Sequence, residues 1–124
     1  MVKAARRAAR KALEAEYTGT CTIIEHEKVR DEKTRQTTYV DRIVLQDQPC
    51  KLSFSRASAA ERGETAVEAA QAVKLFMSPD IVVRAGSKII VTQDNVTRDY
   101  AGSGIPAVYP THQEIALELF ERWI

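Results

Sequence analysis

Apolar and polar positions alternate in short runs over most of this chain, and turn-forming residues divide the runs. The pattern is densest in the last fifty residues. Val73–Met77, Ile81–Val83, Lys88–Thr92 and Val96–Tyr100 are apolar or β-branched stretches, separated by Ser78-Pro79-Asp80, Ala85-Gly86-Ser87 and Asp94-Asn95. Runs of this length and make-up predict strands. Asp94-Asn95 predicts a tight hairpin, because Asn tolerates the left-handed region. Ser78-Pro79-Asp80 predicts a bend, because proline lacks the N–H that an interior strand must donate. Gly102-Ser103-Gly104-Ile105-Pro106 reads as a loop; it lacks the Lys-Ser/Thr ending and the strand-to-helix setting of a phosphate loop. The closing run from Gln113 to Trp123 supports two readings. Ile115, Leu117 and Leu119 alternate as in a strand, while Ile115, Leu119, Phe120 and Trp123 match a helical stripe. Periodicity leaves both open.

Upstream, Tyr17–Glu25 and Thr37–Leu45 are β-prone and flank the polar run Lys28–Gln36, which predicts a long hairpin with a solvated turn. Pro49 interrupts the pattern. Cys50–Phe54 restarts it with strict alternation, placing Cys50, Leu52 and Phe54 inward and Lys51 and Ser53 outward. Ser55–Ala72 then breaks the β pattern with Ala, Glu, Ser and Arg around Gly63, and Val67 is its one large apolar side chain. Thr65–Ala72 is long enough for two helical turns. An excursion this long between strands is more than a connector, and such segments are functional or disordered.

Residues 2–15 predict a helix, since alanine is the strongest helix former. Lys3, Arg6, Arg7, Arg10, Lys11 and Glu14 fall on one arc, and Val2, the alanines and Leu13 on the other. The apolar side is nearly all methyl groups and permits only close packing. Basic groups at the positive end of the helix dipole are locally unfavourable, so a partner outside the helix is expected to compensate: an acidic surface or nucleic acid phosphates. The expected organisation is a basic helix over 1–16 followed by a β domain over 17–124.

Charge adds to this picture through its distribution. The whole chain of 124 residues carries a net +1, yet residues 1–16 hold five basic and two acidic groups. The composition, 44% hydrophobic and 28% charged, is that of one globular domain. No apolar run approaches the roughly 20 residues that span a bilayer, and the basic start is not followed by the apolar core of a secretory signal. A soluble, cytoplasmic protein is expected, with no membrane partner. Cys21 and Cys50 lack CxxC spacing, and His26 and His112 are the only histidines, so no zinc site or other cofactor is expected. His112 beside Thr111, Gln113 and Glu114 is the one stretch with acid/base residue types. Next to Pro110 and an apolar run it reads as a structural histidine, and no convergent catalytic set accompanies it. The chain is not expected to be an enzyme. Phe120 and Trp123 read as core or interface anchors.

Several stretches together resemble the small neck proteins of long-tailed bacteriophages and prophages, the head-closure (stopper) or head–tail connector proteins. The matching features are Lys74-Leu75-Phe76 followed by Ser78-Pro79-Asp80-Ile81, Gly86-Ser87-Lys88-Ile89 with Val91-Thr92-Gln93, and Thr97-Arg98-Asp99-Tyr100. Pro106-Ala107-Val108-Tyr109, Thr111-His112-Gln113-Glu114-Ile115 and Leu117-Glu118-Leu119-Phe120 complete the block, and Cys50-Lys51-Leu52-Ser53-Phe54 fits upstream. The resemblance covers the chain from about Tyr17 onward. It implies a mainly β fold, a small β-barrel with an N-terminal α-helix and a long interstrand loop, and so favours the strand reading of Gln113–Phe120. It implies a structural protein, assembled in the bacterial cytoplasm and carried in the virion neck. There it would form a homo-oligomeric ring, usually of twelve copies, below the portal and adaptor. That ring closes the DNA-filled head and gives tail proteins their docking surface. In some relatives a long loop projects into the channel and helps retain packaged DNA. By position and length that loop is Ser55–Ala72 here, with Arg56, Glu61, Arg62, Gly63 and Glu64 as candidate channel residues. Lys3, Arg6, Arg7, Arg10 and Lys11 are the candidate interface or DNA-facing residues of the helix. Two other readings fit less well: a tail-completion or tail-terminator ring, and a nucleic-acid-binding barrel. The latter requires aromatics interleaved with basic residues, and aromatics are only 6% of the chain.

Overall fold

The computed structural model of the protein describes residues 2–56 and 71–123, apart from the side chains of Val2, Arg56 and Gln71. One helix, α1 (Val2–Glu14), precedes six strands: β1 (Gly19–Arg30), β2 (Thr37–Arg56), β3 (Gln71–Met77), β4 (Lys88–Gln93), β5 (Val96–Val108) and β6 (Gln113–Leu119). They close into an antiparallel barrel in the order β1-β2-β3-β6-β5-β4, with β4 returning to β1. The mainly β make-up and the N-terminal helix follow the sequence pattern, and the barrel is the one that the resemblance implies.

Period-two alternation fills the interior. Cys21 and Ile23, Cys50 and Leu52, Leu75 and Met77, Ile89 and Val91, and Ile115 and Leu117 are alternate residues of five strands, and all are buried. Tyr100 of β5 and Val83 complete the core, with Leu45, Val73 and Ile81 packed against it. Cys21 and Cys50 are free thiols within it. A hydrogen bond to Cys50 and burial together push the Cys21 thiol up. Both cysteines, buried at 1% and 0% exposure, act as small apolar side chains.

The hairpin predicted at Asp94-Asn95 is present, with φ of 52° and 65° at the two residues, the left-handed pair of a type I′ turn. Gln113–Leu119 is a strand, which resolves the ambiguity of the closing run. β6 lies between β3 and β5 and pairs with both, so a helix there would leave two ladders open.

Ile81–Val83 forms a loop and not the predicted strand, since no strand of the barrel pairs with it. Four further expectations need correction. First, Gly102–Pro106 is part of β5, not a loop. Between the pairs Ser103–Ala116 and Ala107–Glu114 the register shifts. This bulge, with Gly104 at φ 74°, takes up residues that make no ladder bonds, so Gly and Pro are tolerated inside a strand. Second, Pro49 does not end a strand. At Pro49, β2 has β1 on one side only, because pairing with β3 begins at Cys50. An edge strand tolerates proline. Third, the solvated turn is shorter than Lys28–Gln36, because β1 continues to Arg30. Fourth, Phe54 shares the inward face of Leu52 but is not buried, being 49% exposed. At the height of Phe54, β1 has already ended, so Phe54 stands at the open end of the barrel, lining a small cavity with Leu52, Val91, Arg98 and Tyr100. Ser55, Arg56, Gln71 and Ala72 likewise belong to strands, with Arg56 opposite Gln71. The connection they leave is 57–70. Of the helical turns expected over Thr65–Ala72, Gln71 and Ala72 are strand, and 65–70 lie outside the described residues.

The bend after β3 is held from inside. Gln113 is 1% exposed, and its Nε2 donates to the carbonyls of Ser78 and Ile81, both at 2.6 Å. This fixes the loop that brings Ile81 and Val83 onto the core. Gln113→Leu leaves both carbonyls without that donor and is expected to destabilise the protein by about 3 kcal/mol. Urea unfolding measures it; a loss within ~0.5 kcal/mol would show that water replaces the amide.

Candidate functional site

Within the chain, α1 is attached chiefly through one residue. Arg10 donates through Nη2 to Ser78 Oγ at 2.8 Å and to Asp80 Oδ2 at 2.7 Å, and through Nε to Glu14 Oε1 at 2.9 Å. Arg10 and Glu14 lie in the middle of the basic arc, so that arc turns toward the barrel. The alanines and Leu13 on the opposite arc are exposed. Among the sequence-predicted helix residues, Arg10 is therefore engaged inside the chain. Lys3, Arg6, Arg7 and Lys11 are exposed, and none is paired with a carboxylate of the described residues. Of the predicted channel residues, Arg56 ends β2, and Glu61, Arg62, Gly63 and Glu64 lie outside the described residues.

A second set of contacts joins the end of the chain to the β1–β2 hairpin. His26 is stacked between Tyr39 and Trp123, with both ring separations 4.7 Å and interplanar angles of 6° and 11°. Phe120 meets Trp123 edge-on at 5.0 Å, and Lys88 Nζ lies 4.8 Å from the Phe120 ring centre. His26 Nδ1 is 3.1 Å from Asp41 Oδ1. Phe120 and Trp123 are anchors as expected, but outside the barrel interior: Trp123 stacks on the hairpin through His26, and Phe120 meets Trp123 and Lys88 of β4. His26, the partner of Trp123, and Tyr39 behind it come from strands far from the tail in sequence, and no local spacing signals them. The tail, β5 and this stack border an open cleft of about 1290 Å³, with Phe54 and Val73 at its rim and Arg98 and Glu118 among its polar groups.

The third cluster surrounds His112. Thr111 Oγ1 lies 3.0 Å from Nδ1 and Glu114 Oε2 3.0 Å from Nε2, while Lys74 Nζ is 3.4 Å from Glu114 Oε1. Tyr109 stacks on the ring at 4.9 Å. The hydrogen bond from His112, then that from Lys74, holds the Glu114 carboxyl below its ordinary range. A hydroxyl, an imidazole and a carboxylate thus stand in a row, an order that can pass a proton. The row lies on the β5–β6 turn and does not line the cleft, so its evident work is to brace that turn. Among the described residues no group of three or more His, Cys, Asp or Glu is placed to hold a metal, and no helix is long and apolar enough to cross a membrane.

No protein-family model matches the chain, and no curated protein does. Among solved structures, the phage-like element PBSX protein xkdH from Bacillus subtilis is similar at 15% identity. That match covers 81% of this chain and 91% of the other, with a TM-score of 0.49.

The Arg10 contact has a pH signature. The Arg10 guanidinium, by hydrogen bond and by charge, holds the Asp80 carboxyl below its ordinary value of 3.8. A lowered carboxyl contributes its stabilisation above its unfolded value and loses it as pH falls through the folded one. The helix is therefore expected to detach only below pH 3.8, with the barrel still folded. Chemical shifts of α1 followed during acid titration report the step, and Asp80→Asn is expected to abolish it. A helix that responds identically in that variant would show that Asp80 is not its tether.

Proposed function

We propose that this protein is a structural component of the neck of a long-tailed phage or prophage. It works as a ring below the portal and adaptor that closes the filled head and receives the tail. The observation that carries the reading is the division between a small closed core and the parts left outside it. The helix shows its alanine arc to solvent, and the β1–β2 hairpin bears exposed Val29, Tyr39, Val40 and Ile43. β5 presents Ile105 at 93% exposure. A monomer gains nothing from such surfaces, whereas neighbours in an assembly can cover them. The sequence resemblance over Cys50–Phe54 and Lys74–Phe120 supplies the kind of assembly. No catalytic role is proposed, because the one row of acid/base groups has no cleft in which to meet a substrate.

In this reading Lys3, Arg6, Arg7 and Lys11 meet an acidic neighbour or the phosphates of packaged DNA, and Arg10 holds the helix in place to do so. Arg56, opposite Gln71 at the end of the β2–β3 ladder, is the one candidate channel residue among the described residues; the resemblance assigns the same role to Glu61, Arg62, Gly63 and Glu64.

Immunogold labelling of particles induced from a host carrying the gene is expected to mark the junction of head and tail. Label on the capsid shell, along the tail tube or only on free protein overturns the assignment. Reversing Lys3, Arg6 and Arg7 together, with Arg10 kept, is expected to preserve the isolated fold by circular dichroism. The yield of sealed, infectious particles should fall about tenfold, the order for a few lost phosphate or acidic contacts. An unchanged yield would make the helix a solvated appendage.

A further inference from the structure

The hairpin of β1 and β2 is longer than the barrel. β1 pairs with β4 only from Thr20 to Ile24, and β2 pairs with β3 only from Cys50 onward. From Glu27 to Arg30 and from Thr37 to Val40 the two strands have only each other among the described residues. Arg84, 3.9 Å from Glu25, marks where the barrel stops. A two-stranded ribbon is marginal in water. This one exposes Val29, Tyr39 and Val40 by 41%, 59% and 43%, and carries two edges of unpaired backbone groups. The stack of Tyr39, His26 and Trp123 braces one face and leaves both edges open.

The edges are complementary. The bond from Asp31 N–H to the Gln36 carbonyl, 2.9 Å, sets the alternation of the ladder. Val29–Thr38 and Glu27–Val40 then exchange hydrogen bonds within the hairpin, and Arg30, Lys28, Thr37 and Tyr39 aim their N–H and C=O groups outward. If β1 of one copy is laid antiparallel on β2 of the next in the register the hairpin already uses, the outward groups meet as bonding pairs, Arg30 with Thr37 and Lys28 with Tyr39. The charges also match. Glu27 falls diagonal to Arg42, as within the chain at 3.8 Å, and Lys28 falls diagonal to Asp41.

The geometry points to a second copy of this chain as the occupant of that edge: β1 Glu27–Arg30 of one copy pairs with β2 Thr37–Val40 of the next. The contact is heterologous, because each copy offers β1 and receives on β2, so repetition makes a continuous sheet that closes where the copies close. It rests on the ring reading for that closure and assigns the ring one of its contacts.

Val29 and Thr38 are side-chain neighbours across the new edge and not part of the aromatic stack. Full-length Val29→Cys and Thr38→Cys proteins, prepared separately, are mixed at high concentration and oxidised with a glutathione couple, with circular dichroism checking each fold. The mixture is expected to give a disulfide-linked pair in about tenfold higher yield than either variant alone, since the bond forms only within a narrow Cβ separation. Adding Lys28→Pro to the first variant removes an outward donor from an edge position and is expected to cut that yield about tenfold. If sedimentation shows oligomers but the mixture cross-links no better than each variant alone, the edge pairing is wrong and the ring stands. If the chain stays monomeric at every concentration, both fail.

Discussion

Barrel closure rests on the ladder between β1 and β4, from Thr20–Thr92 to Ile24–Lys88. Every other strand pair joins neighbours in an open sheet; this one joins its two edges. The ladder is short, and its two ends shape the rest of the molecule. Below it, β1 has stopped at Gly19, and the Gln93 side chain takes over its role. The Gln93 amide accepts from the Leu52 N–H at 2.8 Å and donates to the Leu52 carbonyl at 3.4 Å, as a strand would. A side chain at residue 19 would meet the carbonyls of Thr92 and Cys50 at 3.1 and 3.2 Å, so the close approach of β2 and β4 there requires glycine. Above the ladder, β1 and β2 leave the barrel together and become the projecting hairpin.

Closure also decides where the bulges fall. β1 advances from Cys21 to Ile24 while β2 runs from Gln48 to Ile43, and Asp47 takes φ 54° in that interval. Extra residues on one strand bend it and increase its twist. Here they turn β2 from the barrel wall toward the hairpin, as the Gly104 bulge turns β5 beside the cleft.

Charge acts on position more than on stability. Basic groups in the first turns of α1 oppose the helix dipole, and exposed ion pairs add little. The Arg10 contacts with Ser78 and Asp80 nevertheless select which arc faces the barrel, and thereby which faces solvent. The bend they grip is itself held by buried Gln113. One polar chain thus runs from the core to the helix and orients the surface on which the proposed function depends.

The core strands other than β6, the hairpin at Asp94-Asn95 and the helix were legible in the sequence, because each depends on local preference and on period two or 3.6. The basic residues of the helix were legible as a group. Their division into an anchored Arg10 and exposed Lys3, Arg6, Arg7 and Lys11 was not, since Asp80 lies seventy residues away. The same limit hid the stacking of Trp123 on His26, the strand state of Gln113–Leu119 and the inclusion of Gly102–Pro106 in β5. Local pattern determines which residues can be buried and where the chain can turn. Only the closed barrel decides which strand lacks a neighbour at a given height. That decides where a proline or a bulge is tolerated, whether Phe54 is covered, and which edges remain open.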